Sequence, residues 1–299
     1  MSEIWTVGDR EVEITHPDRV LFPASGITKR HLADYYRRVA EVMLPHVEGR
    51  LVSMQRYPDG IGHEGFFHKD VPEYFPDWIR TEEVEKEGGS LRMLVIDEPA
   101  TLVYLAQQSC ITPHVWLSHA DRRHHPDRLV LDFDPSTDDR GPVLQAARAA
   151  RELLRELGLE PFALLTGSRG IHVTVPLAAR EPFDDVRAFA RDLAAALVAR
   201  HPSLLTTETR KAKRGDKVFV DVLRNAYAQT AVPPYAVRAR EGAPVATPVD
   251  WDELGPGWDP RKYTIRNLFR RLAQKRDPWQ GIEEAGRGIG EARRALERR

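Results

Sequence analysis

Hydrophobic residues in the first 47 positions follow two patterns, one with the period of a strand and one with the period of a helix. Residues 4–15, IWTVGDREVEIT, alternate apolar and polar side chains around a Gly-Asp turn, which predicts a small β-hairpin. Residues 28–47, TKRHLADYYRRVAEVMLPHV, place apolar residues at helical spacing behind Thr28, a residue type that caps helices well. The N-terminal region therefore predicts a hairpin, the loop FPASGI and an amphipathic helix.

Strand-like and helix-like segments alternate downstream. Between about residues 50 and 130, short apolar runs such as RLVSMQRY and LRMLVID are separated by turns, with the helical segment EPATLVYLAQQ among them. Longer helices are predicted at GPVLQAARAARELLRELG, which Gly158 would end, and at about residues 183–200. PFALLTGSRGIHVTVPL has the pattern of two strands joined by a glycine-rich turn, and KVFVDVLRN that of one strand. This order predicts a mixed α/β protein.

The C-terminal part of the chain has a different composition. Residues 239–262 are rich in Pro and Gly, which predicts a segment that wraps the surface without long elements. A basic helix at about residues 264–275 and a charged tail are predicted to follow it.

Composition leaves the class of partner open. The 299 residues carry 44 basic and 45 acidic side chains, and a formal net charge of −1 neither indicates nor excludes a polyanionic partner. The single cysteine, Cys110, cannot form an internal disulfide or a zinc site of several thiolates. No segment resembles a signal peptide, and no apolar run approaches the roughly 18 residues that span a bilayer. We expect a cytoplasmic protein with no membrane role.

Two acidic residues stand one residue apart at the end of the apolar run RLVLDFD. Because residues i and i+2 of a strand share a face, the carboxylates of Asp132 and Asp134 would project together while Phe133 turns into the core. A hard divalent cation such as Mg²⁺ or Mn²⁺ would relieve their repulsion. The same pair is equally typical of a strand end followed by a turn. Asp221, in KVFVDVLRN, could supply a third carboxylate for a two-metal site, although an acid there is also an ordinary solvent contact.

The turn TGSRGIH, residues 166–172, combines glycines with a hydroxyl, a guanidinium and an imidazole. Glycines let backbone N–H groups approach an anion, Ser168 could donate to it and Arg169 could neutralise it, with His172 close by. This set suits a phosphate, but a hairpin turn with an exposed arginine accounts for the same residues. One crossover helix separates the turn from Asp134, so both could lie at neighbouring strand ends of one sheet.

The order of LDFDP, TGSRGIH and KVFVD resembles the archaeo-eukaryotic primase superfamily. More specifically, ITHPDRVLFPASGITK, the pair Phe66 and Phe67, HVWLS and NAYAQTAVPPYAVR are similar to the polymerase domain of bacterial ATP-dependent DNA ligase D, an end-joining repair enzyme. The resemblance extends over about residues 10–280. The motifs are specific in combination, although each one alone is weak.

The resemblance implies an α/β (α+β) fold of the primase type. An RRM-like, mixed and mostly antiparallel sheet would form the core, with a second, N-terminal sheet and a catalytic cleft between them. We expect one primase-polymerase domain over residues 1–299. Its parts would be an N-terminal sheet with the loop that binds a DNA 5′-phosphate at about 1–125, the core at about 126–240, and a wrapping segment with the basic helix at about 241–299.

The implied activity is that of a DNA-directed nucleotidyltransferase in bacterial non-homologous end joining. It would extend 3′-ends and fill short gaps at DNA breaks, preferring ribonucleotides, with two Mn²⁺ or Mg²⁺ ions and a nucleoside triphosphate as substrate. Its partners would be DNA with 3′-ends, gaps or overhangs and a 5′-phosphate, and also Ku and a DNA ligase, at the nucleoid in the cytoplasm. Two alternatives stay open: a primase that starts strands de novo, and a non-catalytic end-binding module for a partner ligase. The Lys-x-Asp-Gly signature of a ligase is absent, so the chain would be stand-alone or part of a larger ligase.

The residues that the resemblance implies fall into three groups. Asp132, Asp134 and Asp221 would be the catalytic metal ligands. The nucleotide-binding group would comprise Arg56, Phe66, Phe67, His114, Ser168, Arg169, His172, Arg214, Arg224 and Arg238. The 5′-phosphate of a DNA end would be bound by His16, Arg19 and Lys29.

Three positions depart from the family pattern. Arg169 stands where lysine is common, which keeps the charge and changes its geometry. Gln229 and Gln55 stand where some members carry a lysine that contacts phosphate, so we expect triphosphate binding to depend more on Arg224.

Overall fold

The chain, described over residues 2–299 by a computed structural model, forms mixed α/β structure. The strands are β1 (Ser2–Val7), β2 (Arg10–Thr15), β3 (Val20–Phe22), β4 (Ile27–Thr28), β5 (Arg50–Arg56), β6 (Phe66–His68), β7 (Thr81–Lys86), β8 (Gly89–Ile96), β9 (Cys110–His119), β10 (Arg128–Asp134), β11 (Phe162–Leu165), β12 (Ile171–Pro176), β13 (Leu205–Thr206), β14 (Val218–Asp221), β15 (Thr230–Ala231) and β16 (Thr247–Val249). The α-helices are α1 (Lys29–Val47), α2 (Pro99–Gln107), α3 (Gly141–Glu156), α4 (Phe183–Arg200), α5 (Leu268–Leu272) and α6 (Gly290–Glu297). No helix within residues 2–299 is long and apolar enough to cross a membrane.

The chain divides into two compact units. Unit 1 contains Met1–Asp121, Thr230–Ala246 and Tyr263–Lys275, and unit 2 contains Arg122–Gln229, Thr247–Lys262 and Arg276–Arg299. The C-terminal part of the chain thus contributes segments to both units. The three-part division with limits near residues 125 and 240 stays a prediction.

Unit 1 is built on an antiparallel sheet with the strand order β15-β9-β5-β8-β7, in which β6 also pairs with β5. Helix α1 begins as predicted, because the Thr28 side chain accepts a hydrogen bond from the His31 N–H. Its apolar face is buried, and the Tyr36 hydroxyl donates to the Ile111 carbonyl of β9 at 2.7 Å. Unit 1 therefore has its own helix-on-sheet core.

Unit 2 is built on a second sheet with the order β13-β14-β10-β12-β11-β16. All its neighbouring strands are antiparallel except the short pair β13 and β14. Strand β10 is central, and its first six residues are buried. Helices α3 and α4 pack on this sheet. The expected mixed, mostly antiparallel sheet and a second sheet are both confirmed.

The C-terminal helices differ from the expectation. The basic helix predicted at about 264–275 is only α5, because Thr264 donates its backbone N–H to the Asn267 side chain and a turn precedes Leu268. The charged tail contains α6, which contacts α4 and buries Ala292. After Gly290 its sequence consists of strong helix formers, with Ala292, Ala295 and Leu296 at helical spacing, and the description as a charged tail missed this signal.

Candidate active site and phosphate site

Three carboxylates converge at the end of β10. Asp132 lies opposite Asp221 of β14 on one side and opposite His172 of β12 on the other. Residues directly opposite each other in antiparallel strands share a face, and Asp134, two positions on, shares it too. One oxygen from each of Asp132, Asp134 and Asp221 lies within 4.8 Å of the others. The strand register thus brings together three residues that the sequence predicts as metal ligands, and this role stays a prediction.

This carboxylate cluster is largely removed from water. Asp132 is 6% exposed and Asp221 is 8% exposed, while Phe133 is fully buried. Burial, followed by the negative charges of Asp132 and Asp221, raises the pKa of Asp134 to about 6. A divalent cation would offset both effects, because it favours the charged form of each carboxylate. Three carboxylates and no sulfur ligand fit a hard ion such as Mg²⁺ or Mn²⁺.

Two basic side chains face Asp132. His172 Nε2 is 3.3 Å and Arg224 Nε is 3.8 Å from the same oxygen, Asp132 Oδ2. The buried Asn225 accepts from the Val130 N–H at 2.8 Å and donates to the Val130 carbonyl at 2.7 Å. Asn225 therefore ties the segment that carries Arg224 to β10. Sequence reasoning missed Asn225, because its partner Val130 lies 95 residues away along the chain.

The glycine-rich turn between β11 and β12 is held by Thr166. Its hydroxyl accepts from the N–H groups of Ser168 and Gly170, each at 3.3 Å, and donates to the Gly170 carbonyl at 3.0 Å. A Cβ on Gly170 would lie 2.3 Å from the Phe133 carbonyl oxygen, so this close approach to β10 requires glycine. The turn that carries Ser168 and Arg169 is thereby fixed beside the carboxylate cluster.

Besides Arg224, unit 2 contains two arginines predicted to meet a triphosphate, and both already have partners. Arg169 donates to the Thr137 carbonyl at 3.4 Å. The Arg214 guanidinium lies 3.8 Å from the centroid of the Phe219 ring and donates to two carbonyls of its own loop. Arg214 would therefore have to give up these contacts before it could bind a triphosphate.

The other predicted nucleotide-binding residues belong to unit 1. Phe66 and Phe67 of β6 are exposed by 46% and 56%, which is unusual for phenylalanine. The Phe67 ring contacts the edge of His114 on β9 at 5.3 Å between centroids. Arg56 of β5 lies 5.7 Å from the Phe66 ring centroid. Arg238 follows β15 in the same unit.

Arg56 is held by Gln108, a residue that no sequence motif pointed to. Its Nε donates to the Gln108 carbonyl at 2.9 Å, and its Nη2 to Gln108 Oε1 at 3.2 Å. Its Nη1 donates to His68 Nδ1 at 3.0 Å. Burial and the Arg56 charge lower the pKa of His68, which favours the neutral imidazole as acceptor. Arg56 therefore has a fixed orientation.

The predicted 5′-phosphate residues lie around the start of α1. His16 begins a turn in which its carbonyl accepts from the Arg19 N–H at 3.0 Å, and the Arg19 carbonyl accepts from the Lys29 N–H at 2.9 Å. Arg19 Nη1 donates to the Pro58 carbonyl at 2.9 Å. Lys29 is only 4% exposed, and burial, followed by the charges of Arg19 and Arg56, lowers its pKa to about 8. A cluster of cations that repel one another and are partly buried suits an anion.

A family match covers both units. Residues 28–279 match the family described as LigD, primase-polymerase domain. The chain belongs to this LigD family. Membership makes it a nucleotidyltransferase of the primase-polymerase class, as the motifs implied.

Several LigD proteins and one solved LigD structure are similar to this chain. The multifunctional non-homologous end joining protein LigD of Mycolicibacterium smegmatis is 35% identical over 81% of this chain and 32% of its own length. The corresponding DNA repair protein of Mycobacterium tuberculosis is 33% identical over 91% of this chain and 37% of its own length. The polymerase domain of M. tuberculosis ligase D, solved in complex with DNA, has a TM-score of 0.84 and 32% identity. That comparison covers 91% of this chain and 98% of the domain.

The comparisons cover different shares of the LigD proteins and of the solved polymerase domain. The chain spans about a third of the length of the two LigD proteins but nearly all of the solved polymerase domain. The fold expected from the resemblance is confirmed by the solved domain.

Proposed function

We propose that this chain adds nucleotides to DNA 3′-ends at breaks and short gaps during non-homologous end joining, with a preference for ribonucleotides. The observation that carries the proposal is the buried cluster of Asp132, Asp134 and Asp221 beside His172. Such a cluster is expensive to maintain without a cation, because burial already raises the pKa of Asp134. The relatives are named for end joining, which supports the biological setting.

The carboxylate cluster would hold two Mg²⁺ or Mn²⁺ ions. Bound there, the ions would lower the pKa of the attacking 3′-hydroxyl and neutralise charge at the α-phosphate. Asp132 and Asp134 would be ligands of the ion pair, and Asp221 would be a further ligand on the side of the primer. Phe133 keeps the two β10 carboxylates parallel, because its burial anchors the pleat between them.

The chain's own side chains position the nucleotide. His172 orients the Asp132 carboxylate, while Ser168, Arg169 and Arg224 offer donors to the triphosphate. Arg214 would join them after leaving the Phe219 ring. In unit 1 the exposed Phe66 and Phe67 would stack on bases without reading their sequence, which is what gap filling requires.

The cations of unit 1 supply a second recognition element. Arg19 and Lys29, with His16 in the adjoining turn, would bind the 5′-phosphate at the far side of a gap. Arg56, His114 and Arg238 would contact the nucleotide. The proposed partners are therefore gapped or broken DNA with a 5′-phosphate, and Ku and a DNA ligase in the same pathway.

The decisive experiment is primer extension on a gapped duplex with ribonucleotides and deoxyribonucleotides. The wild-type chain should extend with Mn²⁺ or Mg²⁺ and favour ribonucleotides, and the Asp132→Ala, Asp134→Ala variant should lose at least about 10³-fold in rate. Equal extension by both proteins would contradict the proposal. Dinucleotide synthesis on a single strand without a primer would favour a primase, and DNA-end binding without extension would favour an end-binding module.

A further inference from the structure

Gln107, the last residue of α2, connects two parts of the 5′-phosphate site. Its Oε1 accepts from the Thr15 backbone N–H at 2.8 Å and lies 3.5 Å from Lys29 Nζ. Its Nε2 donates to the Thr15 hydroxyl at 2.8 Å. Thr15 ends β2 and directly precedes His16. One amide thus contacts the lysine and the entrance to the His16 turn.

The end of α2 is held in a conformation that fixes Gln107. Ser109 adopts φ 55°, a left-handed conformation that costs a non-glycine residue about 1–2 kcal/mol. Its carbonyl accepts from the Tyr57 N–H at 2.9 Å. The neighbouring Gln108 receives Arg56. Adjacent glutamines therefore contact Lys29 and Arg56, two cations close enough that Arg56 lowers the pKa of Lys29.

At the start of α1, anion binding depends on side chains rather than on backbone N–H groups. Its first N–H groups are already paired, since Lys29 donates to the Arg19 carbonyl and Arg30 to the Pro17 carbonyl, both at 2.9 Å. A phosphate must therefore be bound chiefly by Arg19 and Lys29 side chains rather than by free backbone donors. A lysine carries its ammonium on a flexible four-carbon stem, so the ammonium needs a hydrogen-bond partner to keep one position.

We propose that Gln107, itself held by its hydrogen bonds to Thr15, is a positioning residue of the 5′-phosphate site, which keeps the Lys29 ammonium in the arrangement that receives the phosphate. This inference rests on the 5′-phosphate binding proposed above. Gln107 contacts no reacting group and acts through Lys29.

A neutral amide suits this role better than an acid or an apolar residue. It gives the ammonium an acceptor without neutralising it, so the charge stays available to the phosphate. A carboxylate would compete with the phosphate for Lys29. An apolar side chain would leave the Thr15 N–H and the ammonium without this partner, at the cost of an unmade hydrogen bond.

The test compares binding of gapped duplexes that end in a 5′-phosphate or a 5′-hydroxyl, by fluorescence anisotropy. Gln107→Met keeps the side-chain volume and removes the hydrogen bonds. It should reduce the preference for the phosphate about 3- to 10-fold, while affinity for the hydroxyl duplex changes less than about 2-fold. The melting temperature should fall by several degrees, because the hydrogen bonds to Thr15 are lost, while the protein stays folded at the assay temperature. An undiminished phosphate preference in a folded Gln107→Met protein would overturn the inference.

A double-mutant cycle separates positioning from a general structural effect. If Gln107 acts through Lys29, Gln107→Met adds nothing to the loss of preference that Lys29→Ala already causes. Additive losses would refute the inference. Gln145→Met, an exposed glutamine of α3 in unit 2, is the matched control and should keep the wild-type preference.

A chemical readout does not depend on DNA. Lys29 should be acylated faster at pH 8 in Gln107→Met than in wild type and more slowly in Gln107→Glu, because an acceptor or a negative charge stabilises the ammonium. Identical rates in all three proteins would also refute the inference. If instead Lys29→Ala leaves the phosphate preference intact, the 5′-phosphate proposal fails, and the acylation rates still report whether Gln107 controls Lys29.

Discussion

The carboxylate cluster of unit 2 and the cation cluster of unit 1 both crowd like charges, yet they are built in opposite ways. Asp132 and Asp221 are short side chains placed by strand register, so the backbone ladder sets their positions. Arg19, Lys29 and Arg56 are long side chains placed by hydrogen bonds to carbonyls and glutamine amides. The first site draws its precision from the sheet, and the second draws it from neighbouring side chains and loops.

This difference matches the proposed ligands. A metal ion requires oxygen ligands within a few tenths of an ångström of fixed positions, which short side chains on paired strands supply. A phosphate at a DNA end tolerates more variation, because charge–charge attraction falls slowly with distance. The four predictions below test the contrast, from the largest expected effect to the smallest.

The largest effect is expected at the carboxylate cluster. Asp134→Asn should lower primer extension about 10³-fold or more, because a metal ligand is lost. Without metal, however, it should raise the free energy of unfolding at pH 7 by about 1 kcal/mol. The Asp134 carboxyl has a pKa of about 6 in the folded chain against 3.8 ordinarily, so its charged form destabilises the fold at pH 7.

Urea unfolding with a chelator, and again with excess Mn²⁺, checks the stability change. The stabilisation should disappear or reverse with Mn²⁺, since only wild type then has all three carboxylates to bind the ion. A variant that is less stable than wild type without metal would show that burial and repulsion of the charged Asp134 carboxylate do not dominate its effect on stability.

Gly170→Ala tests how far the carboxylate site depends on close backbone packing. The new Cβ would meet the Phe133 carbonyl oxygen at 2.3 Å, so the turn must move. We expect a loss of about 2–4 kcal/mol in unfolding free energy and an extension that is about 10- to 100-fold slower. Gly255→Ala is the control, because its Cβ would meet no atom within 4 Å. Equal effects of the two substitutions would contradict the packing argument.

The cation cluster should respond to pH where the carboxylate cluster does not. Lys29 has a pKa of about 8, so it is protonated below that pH and loses its charge as the pH rises through 8. We expect the preference for a 5′-phosphate to fall several-fold, about 3- to 5-fold, between pH 7 and 9. In Lys29→Arg the preference should stay constant over this range, because arginine does not titrate there. A wild-type preference that is flat from pH 7 to 9 would disprove the role of Lys29 charge.

The smallest effect is expected at the end of α2. Ser109→Gly should raise the free energy of unfolding by about 0.5 kcal/mol. Glycine adopts a positive φ without strain, and this gain outweighs the opposing gain in entropy of the unfolded chain. Thermal unfolding measures this change. The 5′-phosphate preference should stay close to that of wild type, since the Gln107 contacts are unaltered. A destabilised variant would mean that the serine is not strained.

Local pattern predicted the elements on which the carboxylate cluster depends. The two-residue period of a strand, applied to the end of the apolar run RLVLDFD, predicted that Asp132 and Asp134 share a face and that Phe133 is buried, and the fold confirms this geometry. Thr28 was predicted as the cap of α1 and is. These features depend on residues close in sequence, so periodicity and capping chemistry suffice to find them.

Supporting residues could not be predicted in the same way. Asn225 pairs with Val130 and Gln107 with Thr15, each across a long stretch of chain, and nothing in the local sequence names the partner. The Arg214 position on Phe219 likewise follows from strand β14, not from the basic segment alone. Sequence pattern identifies the charged residues, whereas the side chains that hold them in place are identified only from contacts between distant parts of the chain.

The row formed by His172, Asp132 and Asp221 also has a consequence for biosynthesis. Its members come from three strands separated along the chain by α3 and α4, so no nascent fragment that ends before β14 contains the complete row. During translation Asp132 of β10 is therefore made well before Asp221, the last member of the row, leaves the ribosome. The carboxylate cluster is completed late, after both helices that flank its sheet have been made.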